Sequence, residues 1–213
     1  GTLDAQAYKP IVLYINGNYW GVYYIREKIE NDFIENNYNI SGQTNIISYN
    51  YVAEEGNNND IVKLKNYIKN HDMRNDENYK YVSTLLDIDN YIDFWVYQFI
   101  LNNIDLHNIR YYNNINIYDN KIRMILYDLD YGIRSNYGVY YLSFMQYPIG
   151  LLTPVDNSIL ANLMKNDTFK NRFKERAFYY LNNVWTPQNI NNEFEFIYNT
   201  IKPEMERNQK RWN

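Results

Sequence analysis

The stretch DNYIDFWVYQFILNNIDLHNIRYYNNINIYDNKIRMILYDLDYG, residues 89–132, decides the fold class, because it changes from helical to strand character within one run. Residues 89–103 are apolar almost all round, which is typical of a central, buried helix. Residues 109–118 and 121–127 follow as two strand-like runs, joined by a tight turn at Asp119-Asn120. The stretch therefore predicts a buried helix with Asp89 as its N-cap, followed by a β-hairpin.

The sequence on either side has the same mixed character. Two β-rich runs, 11–15 and 19–25, are separated by Asn16-Gly17-Asn18, and Asn-Gly tolerates the positive φ of a hairpin turn. A further strand is predicted at 45–52, and a loop that contains Tyr and Gly at 135–154. Four helices are predicted at 60–70, 158–165, 168–183 and from Thr186-Pro187 onward. These segments together predict an α+β protein.

Composition excludes several classes of function. The net charge of −4 argues against non-specific nucleic-acid binding, which needs a dense cationic face. The chain has no cysteine, which excludes disulfides, thiolate nucleophiles and cysteine-ligated metals. No apolar run reaches the roughly 18 residues of a membrane span, so no membrane insertion is predicted. The basic residues near the C-terminus alternate with glutamates and are interpreted as a solvated helix face.

A first polar cluster, Asn102-Asn103-Ile104-Asp105-Leu106-His107-Asn108, lies where the buried helix should end and the next strand has not begun. Loops between rigid elements are common places for catalytic groups. Asp105 could accept a proton there, and Asn108 could offer a carbonyl oxygen to a cation. The alternative is plain helix termination, because Asn and Asp favour such turns.

A second cluster, Tyr127-Asp128-Leu129-Asp130-Tyr131-Gly132, follows an alternating strand. In an extended chain, Asp128 and Asp130 would project to the same side. Two carboxylates so close repel each other unless positive charge lies between them, and Mg²⁺ prefers oxygen ligands. Gly132 would give the following loop conformational freedom. The alternative is a turn with two solvated acids.

The two clusters flank one predicted hairpin, whose ends must lie close together in space. Asp105 and Asp128 are therefore expected to be neighbours. An Asp, an Asn shortly after it, a hairpin and then a metal-binding Asp is the order found in kinase-type phosphoryl transfer. The spacing differs from that of ordinary protein kinases, and Asp-Leu-Asp-Tyr-Gly is not Asp-Phe-Gly.

Five segments, in this order, resemble the CotH kinase family (spore coat protein H and its relatives). They are INGNYWGVY at 15–23, IREKI at 25–29, DNYIDFW at 89–95, NIDLHN at 103–108 and YDLD at 127–130. The resemblance implies a single domain over residues 1–213 with an atypical protein-kinase-like fold. It also implies that much of the N-terminal lobe, which supplies basic residues to the phosphates, is missing from this chain.

The resemblance further implies the chemistry and the site. The family uses ATP and Mg²⁺ to phosphorylate proteins of the spore coat, and some relatives act at the cell surface or are secreted. Carried over by motif, Asp105 would be the catalytic residue, and Asp128, Asn108 and Asp130 would hold the metal. Asn108 would also contact the cofactor.

Two residues of the first hairpin are candidates for the nucleotide site by the same resemblance. Tyr19 would stack on adenine, with an ordinary strand aromatic as the alternative. Glu27 would order the phosphate side, with a structural salt bridge to a neighbouring Arg26 or Lys28 as the alternative.

Two other functions compete with a kinase. A non-catalytic binding or scaffold module fits a chain without the basic N-terminal region. A glycosidase that uses Asp105 and Asp128 as its carboxylate pair fits the 18% aromatic content, but it leaves Asn108 and Asp130 without a role.

Overall fold

The computed structural model describes residues 3–103, 105–117, 119–132, 156 and 158–213. The chain divides into two compact units. One comprises Gly1–Ala5 and Ile29–Ala177, and the other comprises Gln6–Lys28 and Phe178–Asn213. Helices and strands are both abundant, which confirms the α+β class. In the described ranges, no helix is long and apolar enough to cross a membrane.

The described part of the chain forms seven strands and seven α-helices. They are β1 (Asp4–Ala5), β2 (Tyr8–Ile15), β3 (Asn18–Arg26), α1 (Asn31–Tyr38), β4 (Thr44–Ser48), β5 (Ala53–Glu55), α2 (Asn59–Asn70), α3 (Asp76–Leu85), α4 (Ile88–Leu101), β6 (Arg110–Asn114), β7 (Arg123–Leu126), α5 (Ser158–Leu163), α6 (Asp167–Tyr179) and α7 (Pro187–Trp212). A π-helical turn, Tyr180–Val184, follows α6.

The first unit is built on a five-stranded sheet in the order β1-β7-β6-β4-β5. Strand β1 runs parallel to β7, and the other neighbours are antiparallel. The predicted second hairpin is present as β6 and β7, where Arg110 pairs with Ile125. One face of the sheet packs on α1 through a cluster of buried side chains, namely Phe33, Ile34, Ile46, Tyr112, Ile117 and Ile125.

The strands of this hairpin are shorter than predicted, because the chain turns earlier. Ile117 donates its N–H to the carbonyl of Asn114, and Asn120 donates to Ile117. Asn120 has a φ of 49°, a left-handed conformation that asparagine tolerates well. The asparagine-rich connection therefore forms turns where the β-rich composition indicated strand.

Helix α4 is the predicted central helix, with ten of its side chains buried. Its N-cap is Asp87, whose side chain accepts the N–H of Asn90, so the prediction of Asp89 as the cap is wrong. Asn90 is fully buried, and its amide group bonds both the N–H and the carbonyl of Met124. A buried side chain thus satisfies backbone groups of β7 and fixes α4 against the sheet.

The basic residues of α6 are not a simple solvated face, which corrects the sequence-based interpretation. Arg172 and Arg176 donate to the carboxylate of Asp89 at 2.8 and 2.9 Å. Arg176 also pairs with Asp93, whose side chain is completely buried. Burying a carboxylate without a partner is very costly, so Arg176 offsets the charge that α4 places in the core.

Substitution Asp93→Asn is expected to lower the free energy of unfolding by roughly 3 kcal/mol, because it leaves a guanidinium group facing a neutral buried amide. Urea denaturation measures this change. The matched control is Asp167→Asn, which removes a carboxylate that pairs with Lys170 at the exposed start of α6. The control should leave the unfolding midpoint unchanged. Equal midpoints for wild type and Asp93→Asn would contradict a structural role for the buried pair.

The remaining segments of the first unit agree with the prediction only in part. The predicted helix at 60–70 is confirmed as α2, which buries Ile61, Leu64 and Ile68. The strand predicted at 45–52 ends at Ser48, because Tyr51 turns back with a φ of 64° and donates its N–H to Ser48. Helix α3 was not predicted, although Asn75 is a good N-cap signal for it. The predicted loop 135–154 lies outside the described residues.

The second unit contains the first hairpin and α7. Asn16 and Gly17 both have positive φ, as the predicted turn requires. Helix α7 begins after the N-cap Thr186, also as predicted. It crosses β3 at Gly21, where an added Cβ would lie 2.9 Å from Oδ1 of Asn208. Gly21 also has a φ of 142°, so a glycine is needed there both for the backbone conformation and for the close contact.

Candidate active site

The first site loop is fixed by side chains buried at the end of α4. The helix ends at Asn102, which adopts the left-handed conformation common at C-caps. The Asn103 amide donates to Oε1 of buried Gln98 at 2.8 Å. Oδ1 of Asn103 accepts the N–H of Asp105 at 3.2 Å. The backbone of Asp105 is therefore held by a buried amide pair rather than left to an exposed loop.

The Asp105 carboxylate accepts hydrogen bonds on both of its oxygens. Oδ1 lies 3.3 Å from the His107 backbone nitrogen and 3.3 Å from its Nδ1. Oδ2 accepts from the Asn108 amide at 3.3 Å. The His107 ring in turn packs edge-on against Tyr49, with 4.8 Å between ring centroids. These contacts orient a carboxylate whose side chain is one-quarter exposed and so accessible to a ligand.

Asp128 lies two residues beyond the end of β7 and has a φ of 53°. Non-glycine residues seldom adopt this conformation, and they cluster at functional sites when they do. Oδ2 of Asp128 accepts from the Asn108 amide nitrogen at 2.7 Å. The turn at Asp128 thus directs its carboxylate to the loop that carries Asp105.

A single nitrogen, Nδ2 of Asn108, therefore bonds the carboxylates of both Asp105 and Asp128. The expectation that these two acids converge at the base of the second hairpin is met by this shared contact. The pairing of β6 with β7 is the cause, because it brings the chain before β6 beside the chain after β7.

The carboxylate and amide oxygens of Asp105, Asp128 and Asn108 are the kind of ligands that a hard divalent cation prefers. The two carboxylates converge on the partial positive charge of the Asn108 amide nitrogen. A cation at that place would relieve their repulsion more fully. Rotation of the Asn108 amide would present Oδ1 as a third oxygen ligand. In the described ranges, no three acidic or histidine side chains form a metal cluster. Mg²⁺ does not require one, since it keeps several waters and uses one or two carboxylates.

In the described ranges, no hydrogen bond links Asp130 to this group. Asp128 has a φ of 53°, so the chain there lacks the extended conformation from which a common side for Asp128 and Asp130 was predicted. Asp130 is exposed in a turn, and its side chain has no hydrogen-bond or ion-pair partner in the described part of the chain. Its role as a metal ligand stays a prediction.

Gly132 closes the turn after Asp128. Its N–H donates to the carbonyl of Leu129. A Cβ at this position would lie 2.9 Å from that carbonyl oxygen and 3.1 Å from the carbonyl oxygen of Leu101. The absence of a side chain therefore lets the turn contact the end of α4. The loop to which Gly132 was predicted to give freedom lies outside the described residues.

Tyr19 and Glu27 belong to the second unit, and their roles at a nucleotide site stay predictions. One face of the Tyr19 ring carries the guanidinium group of Arg207, 4.0 Å from the ring centroid. The Glu27 carboxylate accepts the N–H of Ala7 at 2.8 Å, which ties the two ends of the first hairpin together. Both residues thus have structural contacts within their own unit.

Tyr127, the residue before Asp128, belongs to a group with Arg110 and Glu54 that no local sequence pattern predicts. Arg110, the first residue of β6, forms an ion pair of 2.5 Å with Glu54 through Nε, and Nη1 donates to the Tyr127 hydroxyl. Burial raises the pKa of Tyr127 to about 12, so its hydroxyl is neutral near pH 7. Glu54 is far from Arg110 in sequence, and only the pairing of β4 with both β5 and β6 brings them together.

Comparison with known proteins supports a family assignment. The family model described as CotH kinase protein matches residues 2–213. The chain belongs to the CotH kinase family. The match spans nearly the whole chain, including both polar clusters, and it marks the chain as kinase-like. No curated protein matches this CotH-family chain.

Proposed function

We propose that this chain is an atypical protein kinase that transfers the γ-phosphate of ATP to Ser or Thr residues of other proteins and depends on Mg²⁺. The proposal includes a single kinase domain over residues 1–213 with a modified kinase-like fold. The observation that supports it most is the shared contact of Asp105 and Asp128 with the Asn108 amide. Family membership supports the same reaction class.

Asp105 is assigned the role of general base. Its carboxylate is held by the His107 backbone and by Asn108, which leaves it oriented but partly accessible. It would orient the acceptor hydroxyl and accept its proton as the oxygen attacks the γ-phosphorus. Because the contacts from Asn103 fix the backbone at Asp105, little reorganisation is needed during the reaction.

Asp128 and Asn108 are assigned the role of metal ligands, and Asp130 is a further candidate for that role. These residues would hold a Mg²⁺ ion, which would supply electrostatic stabilisation of the charge that develops on the leaving group. Asp128 supplies a full negative charge in a fixed left-handed turn, and Asn108 supplies an amide oxygen after rotation. In the same proposal, Tyr19 stacks on adenine and Glu27 orders the phosphate side of the nucleotide.

Coat or surface proteins are the proposed substrates, and the spore coat is the proposed location, with secretion or the cell surface as the alternative. These assignments rest on the family alone. Nucleic acid is not proposed as a partner, in keeping with the net charge of −4. A non-catalytic scaffold is the second candidate, favoured by the Arg207 contact that already covers one face of Tyr19.

Thermal unfolding with Mg²⁺ and ATP separates a kinase from a scaffold. A ligand that binds only the native state raises the melting temperature, by roughly 5 °C or more at a hundred times its dissociation constant. We expect such a rise with Mg–ATP and a smaller one with ATP and EDTA. Incorporation of label from γ-labelled ATP into a coat-protein extract then tests transfer. No rise at millimolar Mg–ATP, together with no incorporation, would favour the scaffold.

A further inference from the structure

Arg110 bonds the side chain of Tyr127, the residue that directly precedes Asp128 of the candidate metal site. Two of its nitrogens are bonded, Nε to Glu54 and Nη1 to the Tyr127 hydroxyl. Nη2 has no hydrogen-bond partner among the residues that the structure describes. The guanidinium carbon lies 5.2 Å from the centroid of the Tyr127 ring. The group is thus anchored on one side and has donors available for an anion.

Tyr127 fixes the position of this guanidinium group relative to Asp128. Its ring packs against the buried cluster that joins α1 to the sheet. It is also the residue directly before Asp128. A cation bonded to the Tyr127 hydroxyl is therefore attached to rigid structure and to the residue that immediately precedes the acidic site.

Glu54 is the more exposed of the two attachments. It lies on β5, a three-residue strand at the edge of the sheet, and its side chain is 36% exposed. An ion pair exposed to this extent contributes little to stability, because water solvates both charges well. A polyphosphate carries more charge than one carboxylate and bonds an arginine in the same forked geometry. Phosphate oxygens can therefore replace Glu54 without loss of a strong contact.

We propose that Arg110 binds the phosphates of the nucleotide and that Glu54 competes with those phosphates for its guanidinium group. The inference rests on the proposed function for the identity of the ligand. It assigns the phosphate contact to a residue within the first unit, which also contains the acids that would hold the metal. It also makes the charge of Glu54 a determinant of nucleotide affinity.

Two substitutions with opposite expected effects test this assignment. Arg110→Gln should weaken binding of Mg–ATP by roughly tenfold or more, because it removes charge-assisted hydrogen bonds to phosphate. Glu54→Gln should strengthen binding of Mg–ATP severalfold, because it removes the competing charge while keeping the side-chain shape. Neither should change binding of adenosine, which has no phosphate. Isothermal titration calorimetry measures the affinities for Mg–ATP, for adenosine and for inorganic tripolyphosphate with Mg²⁺, which is a probe without the base.

The matched control is Arg74→Gln. Arg74 is also an arginine of the first unit paired with a carboxylate, Asp72, through two nitrogens. Its removal should leave the affinity for Mg–ATP unchanged. Circular dichroism and thermal melts of each variant show whether it is folded, and Glu54→Gln keeps the test informative if Arg110→Gln does not fold.

The possible results are distinct. If the ion pair were merely structural, both variants would change nucleotide affinity in the same direction, or neither variant would change it. Either result would overturn the proposal. Tripolyphosphate binding that responds to both substitutions in opposite directions supports the Arg110 assignment even if no phosphate is transferred to protein. If wild type binds Mg–ATP and transfers phosphate but both variants behave as wild type, the proposed function stands and the Arg110 assignment fails. If the wild-type protein binds neither Mg–ATP nor tripolyphosphate with Mg²⁺, the Arg110 assignment is overturned.

Discussion

Substitution Asp105→Ala is expected to reduce phosphate transfer by roughly three orders of magnitude while leaving the affinity for Mg–ATP within about twofold of wild type. The carboxylate is the proposed acceptor of the substrate proton, and removing a general base affects the chemical step rather than nucleotide binding. Rapid-quench measurement of labelled product gives the rate, and calorimetry gives the affinity. The combination of lost transfer and retained binding is the expected signature.

The chain offers a close structural control for this variant. Asp72 also follows a helix, and its Oδ1 accepts the backbone N–H of the residue two positions on, as Asp105 does. Asp72→Ala should therefore disturb a similar turn without affecting transfer. If Asp105→Ala transferred phosphate as fast as Asp72→Ala, Asp105 would not be the base. Equal loss of transfer and of nucleotide affinity in Asp105→Ala would assign it to binding instead.

Substitution Asp128→Asn should weaken Mg-dependent binding of ATP by roughly a hundredfold and reduce transfer at least as much. Asparagine keeps the size of the side chain and tolerates the left-handed backbone at this position, so the turn should persist. The loss comes from the charge that would hold the cation. With EDTA present, wild type and variant should bind ATP equally weakly.

Stability provides a second readout for Asp128→Asn. Removal of one of two converging carboxylates relieves repulsion, so without Mg²⁺ the melting temperature should stay unchanged or rise. The matched control is Asp60→Asn, because Asp60 accepts from the Asn113 amide at 2.7 Å, as Asp128 does from Asn108. The control should bind Mg–ATP like wild type. A large fall in melting temperature for Asp128→Asn would indicate a structural role instead.

The two alternatives that the sequence leaves open make different predictions for these variants. A scaffold would bind no Mg–ATP, so neither substitution would have an affinity to change. A glycosidase would lose hydrolysis of glycans on Asp105→Ala or Asp128→Asn and would not respond to ATP. Release of reducing sugar by wild type would therefore revive that function. The Asn108 amide bonds both carboxylates, and a glycosidase mechanism would have no use for this amide.

Local patterns determined most of the elements and the place of the site. Asn-Gly at positions 16 and 17 predicts the first turn because only a few residue types tolerate positive φ at both positions. The apolar run of α4 predicts burial because no face of such a helix suits water. The two polar clusters, with a hairpin between them, predict that Asp105 and Asp128 meet, because the ends of an antiparallel pair are adjacent.

Contacts between residues distant in sequence were decided only by the tertiary structure. The pairing of Asp93 with Arg176, and of Glu54 with Arg110, depends on how helices and strands pack, and no local pattern encodes it. The same holds for Gly132, which is needed because the turn after Asp128 approaches the end of α4. The sequence by itself thus determined the fold class and the convergence of Asp105 and Asp128 at the candidate site, since these follow from local backbone preferences. Packing determined which charges meet, because electrostatic partners are chosen by distance in space and not along the chain.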